Sequence, residues 1–288
     1  MASTSAIHWA VNPILISIGP IELRWYGLLF SLGFLICFLV MEKIMAWEGR
    51  PVEDAGSVLT TMVISVLTGA RLGHCLFYEP GYYLQHPLKI LAIWEGGLAS
   101  HGAVVGMAIG LWIYSRKKPD QPFLWIADRV AIVAAAAGFC IRLGNLFNSE
   151  IIGKETNLPW AFVFERVDQV PRHPTQLYES LWYLICFFIL FYCYRHWKVG
   201  KRMGWLLGAN FILIFVFRFF VEFIKEPQVD FEAKSGIYMG QMLSIPVVLL
   251  GAFLIWRSYR IAPAPEALAL SNGSASSGKP KKKKKKKS

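Results

Sequence analysis

Residues 25–41 read WYGLLFSLGFLICFLVM, seventeen positions without a single charge. A hydrocarbon layer about 30 Å thick is crossed by about 20 helical residues. Taken with its flanks, this run predicts a span over residues 22–42. Six further stretches match it: 57–78, 98–115, 126–146, 176–195, 204–224 and 238–257. Backbone groups in lipid must find partners within their own segment, so each stretch is expected to be a helix. The predicted fold class is an all-α integral membrane protein with seven transmembrane helices. The whole composition agrees: 288 residues, 55% hydrophobic, 17% charged, with a mean hydropathy of +0.42. Soluble domains are about 45–50% apolar and about 25% charged. A disordered chain, a collagen-like fibre and a disulfide-stapled secreted domain are excluded. The five cysteines, Cys37, Cys75, Cys140, Cys186 and Cys193, sit in apolar surroundings without metal-ligand spacing, and read as buried hydrophobes.

Basic residues set the orientation. Lys43 and Arg50 follow span one, Arg116, Lys117 and Lys118 follow span three, and Arg195, Lys198, Lys201 and Arg202 follow span five. Arg257, Arg260 and a lysine run follow span seven. These alternate ends are expected in the cytoplasm, which puts the N-terminus outside. The first 20 residues lack a basic n-region and a small-residue cleavage signal, and read as an interfacial segment that stays on the protein. The connection 147–175 is polar and rich in turn residues (Gly153, Asn157, Pro159, Pro171, Pro174), and is expected to form a small external head. Residues 1–261 thus make one membrane domain, and 262–288 a disordered lysine-rich cytoplasmic tail. The tail supplies +7 of the net charge of +11, leaving +4 for residues 1–262 and no folded basic face for nucleic acid. It could attract anionic lipid at about 1 kcal/mol per lysine near the surface, or be a solvated tail with no specific partner.

Ionisable groups inside spans are costly and mark function. Arg71 and His74 lie in span two, His101 opens span three, Arg142, Asn145, Asn148 and Glu150 close span four, and Arg218 and Glu222 lie late in span six. With the orientation above, His101, Arg142 and Arg218 all fall towards outer helix ends. Arg142 and Asn145 share a helical face, as do Asn145 with Asn148 and Arg218 with Glu222. A plain structural reading would pair Arg218 with Glu222 and Arg142 with Glu150. Three arginines with asparagines and a histidine at one depth call for an anion, and the guanidinium fork suits phosphate. The abundant anion there is a phospholipid head group. Gly102, Gly106 and Gly110 form a small-residue stripe, with Gly69 and Gly73 around Arg71, which predicts close helix packing. Gly96 and Gly97 suggest a loop that nears a ligand. Asp128 and Arg129 read as a helix-start pair.

The runs RWYG (24–27), GARLG (69–73), EGGLASHG (95–102), RLGNLFNSEIIG (142–153), RHPTQLYE (172–179), FRFFVEF (217–223) and MGQMLSIP (239–246) resemble the bacterial prolipoprotein diacylglyceryl transferase family. The resemblance covers about residues 20–258. It implies an inner-membrane enzyme that moves the diacylglyceryl group of phosphatidylglycerol to the lipobox cysteine thiol of a prolipoprotein, releasing glycerol phosphate. It implies functional roles for Tyr26, His101, Arg142, Asn145, Glu150, Gly153, Arg218 and Glu222. Two positions depart from the family pattern: Ala103 stands where a second glycine is usual, and Ile214 where a tyrosine often precedes the second arginine. Tyr26 or Tyr178 would have to supply that hydroxyl.

Such a displacement needs a thiolate and a stabilised leaving phosphate. Arg142 and Arg218 are assigned to the phosphate, with Arg71 a weaker third. Asn145, Asn148 and Glu150 would hold the head group and orient Arg142, and Glu222 would orient Arg218. His101 is the expected base, because imidazole titrates near neutral pH; alternatively it only hydrogen-bonds the head group and the arginine field activates the thiol. No cofactor or metal is expected. The signal peptide and the lipid tails would enter sideways near span two, five or six. The rival classes are an anion transporter, which needs polar groups through the full depth of several spans, and a structural subunit held by paired charges alone.

Overall fold

The computed structural model describes residues 6–19, 21–93, 96–197, 199–227 and 238–261. The expected lysine-rich tail, 262–288, lies outside the described residues. The opening apolar run is the body of helix α1, Trp25–Trp47. It is followed by α2, Glu53–Phe77, a short α3, Pro80–Gln85, and a 3-10 turn, Pro87–Leu91. Then come α4, Ser100–Lys117, α5, Phe123–Asn148, and α6, Thr175–His196. The chain continues with α7, Trp205–Val221, a 3-10 turn, Glu222–Ile224, and α8, Met239–Arg260.

Six helices (α1, α2, α5, α6, α7 with its 3-10 extension, and α8) are long and apolar enough to cross a membrane. Helix α4 occupies the expected third span but is not among the six. Its glycine stripe and its polar ends at Ser100, His101, Arg116 and Lys117 dilute its apolar content.

Helix α5 is the centre of the bundle, packing on α1, α6 and α7. The alanines at 134–137 keep its surface thin, so neighbouring helices can close on several sides. One apolar cluster joins it to α1, α2 and α4 through Met41, Met45, Val58, Met62 and Leu111. A second joins it to α6 and α7 through Ile132, Cys186, Leu190 and Leu206. Leu28, Leu32, Leu35 and Leu39 leave one face of α1 exposed, as expected of a lipid-facing stripe. All five cysteines are free; four are buried and Cys37 is half-buried.

The glycine pattern is a packing device between α2 and α4. A Cβ built on Gly73 would lie 2.8 Å from the Gly102 Cα, and one on Gly106 3.0 Å from the Gly69 Cα. Asp128 and Arg129 do not form a helix-start pair. Asp128 accepts the Gly204 and Leu207 amides at 2.7 and 2.8 Å, satisfying the start of α7. Arg129 holds Glu48 at 2.8 Å and the Gly200 carbonyl at 3.1 Å. The two residues therefore tether α5 to different elements.

The sequence reading foresaw no strands. β1, Ile7–Trp9, runs parallel to β4, Phe162–Phe164, and β4 pairs antiparallel with β5, Pro171–Arg172. β2, Ile14–Ile18, and β3, Ile21–Arg24, form a hairpin ahead of α1. The N-terminal stretch is thus built partly onto the 147–175 connection, and Trp9 Nε1 donates to the Leu146 carbonyl at 3.1 Å.

Candidate functional site

The end of α5 carries the run Arg142–Gly153, and its backbone turns sharply there. Ser149 takes φ 57° at the helix terminus, with the Ser149 amide donating to Leu146 and the Glu150 amide to Asn145, both at 3.0 Å. This is the two-bond closure that usually places glycine at the left-handed position. Ile151 follows at φ 56°. Among the described residues these are the two non-glycine positions with positive φ, and each costs roughly 1–3 kcal/mol. The first turn of α6 holds the strained loop: Thr175 Oγ1 donates to the Ile151 carbonyl at 2.7 Å and Gln176 Nε2 to the Glu150 carbonyl at 2.6 Å.

The turn folds Glu150 back over the last turn of α5. Its carboxylate accepts Asn145 Nδ2 and Asn148 Nδ2, both at 3.1 Å, and Asn145 Oδ1 accepts Arg142 Nη1 at 3.3 Å. Glu150 therefore reaches Arg142 through an amide, and the direct carboxylate partner of Arg142 is a different residue. Glu179, fully buried one turn into α6, places Oε2 at 3.1 Å from Arg142 Nε. The contact is ionic without the alignment of a hydrogen bond.

On α7, Arg218 Nε lies 3.5 Å from Glu222 Oε1. Between the two arginine–carboxylate pairs sits Lys225, 1% exposed, with Nζ at 2.9 Å from Glu179 and 3.1 Å from Glu222. Its backbone is held by the 147–175 connection: the Lys154 amide donates to the Ile224 carbonyl at 2.8 Å and the Glu226 amide to Ile152 at 3.2 Å. Gly153 pairs with Lys225 across that bridge, and a Cβ there would come within 2.5 Å of the His173 Cβ. Only glycine lets the two segments meet. Gly240, in the first turn of α8, is similarly required, because a Cβ there would strike the Glu222 carboxylate.

Tyr26 packs beside Gly144, where a Cβ would lie 2.8 Å from its ring, and it feels the charges of Glu150 and Arg142. The Tyr178 oxygen accepts Trp160 Nε1 at 2.9 Å and lies 3.4 Å from His173 Nδ1. Ile214 packs into the α5–α6–α7 core, and the buried Tyr183 supplies a phenol close to Arg142 and Glu179.

Two expected site residues stand outside this cluster. Arg71 is 4% exposed, and its guanidinium donates to the Lys89, Ile90, Gly96 and Gly97 carbonyls while lying 5.1 Å over the Tyr83 ring. Its guanidinium thus clasps the segment before His101 and stands apart from the Arg142–Arg218 cluster. His101, exposed on the first turn of α4, has its ring against Phe77 and Tyr78, and no described hydrogen bond or ion pair joins it to either clamp arginine. Glu179, Lys225 and Tyr183 were missed from sequence. Glu179 carried a readable signal, an acid inside an apolar helix.

Below the polar cluster lies an apolar cavity of about 210 Å³ between α1, α2, α4 and α5. Tyr26, Phe30 and Phe34 step down α1 from the cluster, and Phe30, Phe34 and Ile141 line the cavity. Ile141, next to Arg142 in the chain, thus brings a pocket fit for hydrocarbon up to the α5 end of the polar cluster.

The family model described as prolipoprotein diacylglyceryl transferase matches residues 13–257. The phosphatidylglycerol–prolipoprotein diacylglyceryl transferase of Tolumonas auensis is 49% identical over 249 residues, covering 86% of this chain and 96% of that protein. The proteins of the same name from Chloroherpeton thalassium and Bacteroides fragilis are 46% and 42% identical, covering 91% and 87% of this chain and 98% and 95% of theirs.

Proposed function

The chain belongs to the prolipoprotein diacylglyceryl transferase family, and from that premise we propose how it moves the diacylglyceryl group of phosphatidylglycerol onto the lipobox cysteine of a prolipoprotein. Arg142 and Arg218 grip the phosphodiester from α5 and α7. The substrate thiolate attacks the glyceryl carbon that bears the phosphate oxygen. A carbon–sulfur bond forms, the carbon–oxygen bond breaks with its electron pair staying on oxygen, and glycerol phosphate leaves. The leaving group gains a negative charge, which fixed guanidiniums already aimed at it stabilise without reorganising. The observation that carries this reading is the chain Arg142–Glu179–Lys225–Glu222–Arg218, in which a buried lysine and two buried carboxylates hold two guanidiniums whose exposure rises towards the ends.

Glu150, Asn145 and Asn148 hold Arg142 in place, and Glu222 holds Arg218. His101 takes the thiol proton. Its exposed place at the first turn of α4 suits a substrate that arrives from outside the helix bundle. The cavity under Tyr26 receives an acyl chain. A second apolar groove of about 270 Å³, between α7 and α8 beside Phe219 and Phe220, supports lateral entry near span six.

In the membrane, α4 is the seventh span. Its glycine face covers α2, while Val104, Val105, Ile109 and Trp112 face lipid. The basic loop ends support an N-terminus and a 147–175 head in the periplasm and a C-terminus in the cytoplasm.

Purified protein with labelled phosphatidylglycerol and a lipobox peptide tests the assignment through glycerol phosphate release. Arg142→Ala and Arg218→Ala should each lower turnover by about 10²-fold or more. Full activity in both would remove the phosphate clamp. His101→Gln should lower turnover more than lipid binding and abolish the acid limb of the rate–pH curve; an unchanged curve excludes it as the base.

A further inference from the structure

Lys225 touches neither arginine in the described ion pairs, yet both arginine partners depend on it. Its Nζ lies 2.9 Å from Glu179 Oε1 and 3.1 Å from Glu222 Oε1. Each of those carboxylates also faces an arginine, Glu179 with Arg142 at 3.1 Å and Glu222 with Arg218 at 3.5 Å. Burial of the three central side chains is nearly complete: 1%, 0% and 6% exposed for Lys225, Glu179 and Glu222. Exposure rises towards the ends, to 12% for Arg142 and 32% for Arg218. The chain of charges is therefore sealed in the middle and open at its two guanidinium ends, as a clamp requires.

A lone buried ammonium is costly, and so is each lone carboxylate. Together they are compensated in this alternating order. Without the lysine, two buried carboxylates would face each other at close range with two arginines, and the site would hold one positive charge fewer. Each arginine would be drawn towards the nearer acid and away from an incoming anion.

We propose that Lys225 is a positioning residue for the transfer: by binding Glu179 and Glu222 at once, it fixes the separation of the Arg142 and Arg218 forks and keeps those two carboxylates from drawing the guanidiniums away from the phosphodiester. The inference rests on the reading that those arginines grip the lipid phosphate. It also explains why the outer connection at Ile152–Lys154 pairs with Ile224–Glu226, because that pairing sets the depth of the lysine.

The test compares Lys225→Met and Lys225→Arg in detergent-purified full-length protein, with KM measured separately for phosphatidylglycerol and for the lipobox peptide. Lys225→Met should raise KM for phosphatidylglycerol about tenfold or more, leave KM for the peptide unchanged, and be rescued to within about threefold by Lys225→Arg. Glycerol phosphate should inhibit the Met variant more weakly than the parent. The double variant Lys225→Met/Glu179→Gln removes one charge of each sign and restores the parent's net charge. It should bind phosphatidylglycerol better than Lys225→Met alone, and it serves as the measured protein if the single Met variant does not fold. In that case its KM for phosphatidylglycerol should lie closer to the parent's than to that of Arg142→Ala. An unchanged KM for phosphatidylglycerol in Lys225→Met, an equal loss for lipid and peptide, no rescue by arginine, or a double variant no better than Arg142→Ala would each overturn the proposal. Arg142→Ala and Arg218→Ala run alongside. If they too keep the parent's KM, the phosphate clamp itself has failed; if only Lys225→Met does, this inference alone has failed.

Discussion

Ser149 shows how one residue can be kept at a cost. It adopts φ 57°, its hydroxyl is buried without a hydrogen-bond partner among the described residues, and glycine is the usual occupant of such a helix end. Ser149→Gly should therefore stabilise the protein by about 1 kcal/mol, through relief of strain and of the unpaired hydroxyl, set against some gain in unfolded-chain entropy. Thermal unfolding in detergent reads this directly, and a lower midpoint would show that the serine has a partner in the working enzyme. The clustering of Arg142, Asn145 and Glu150 and the pairing of Arg218 with Glu222 were legible from sequence because each is a polar residue in or at the end of an apolar helix. Lys225 was not legible. It follows Glu222 by three residues in a polar stretch, where a lysine is ordinarily solvated, and only the docking of residues 152–154 buries it.

At the level of elements, the α2–α4 pair positions His101. Gly69, Gly73, Gly102 and Gly106 let the two backbones touch, and Arg71 then gathers the carbonyls of residues 89, 90, 96 and 97 just before α4 begins. Arg71→Ala should loosen that segment and leave the phosphate clamp in place. Hydrogen exchange of residues 88–98 should speed up, and kcat should fall about tenfold or more as His101 loses its fixed approach, with KM for phosphatidylglycerol little changed. A loss confined to KM for phosphatidylglycerol would return Arg71 to the phosphate. The helix periodicity and the glycine spacing predicted this packing. The clasp was unpredictable, because backbone carbonyls leave no signature in a sequence and an intramembrane arginine is first read as a ligand for an anion.

Across the whole molecule, the outer connection is fastened to the bundle through Arg172, which holds Asp168 at 2.6 Å and Glu226 at 2.5 Å. The Arg172 guanidinium, by hydrogen bond, keeps the Asp168 carboxyl below its usual range. That contribution is present above the ordinary carboxylate value of about 3.9 and is lost as pH falls through the lower folded value. Burial pushes the neighbouring His173 imidazole down as well. Its unfolded form binds a proton first, so stability falls as pH drops from about 6.5 through the lowered folded value. Acidification should thus weaken the connection in two stages, and His173→Asn should erase the first, read as amide protection factors over residues 162–173 against pH. A single stage in the parent would count against the assignment. Residue chemistry written along the chain was enough to determine a multi-helix membrane fold, six of the seven expected spans to within about five residues, and most of the polar groups in the cluster, because hydrophobic length and intramembrane charge are local properties. Tertiary structure alone decided which carboxylate serves which arginine, that the Arg71 guanidinium gathers backbone carbonyls, and that the first strand joins the 147–175 connection. Those outcomes depend on segments far apart in sequence meeting in space, where the pairing that leaves the fewest buried charges unmatched prevails.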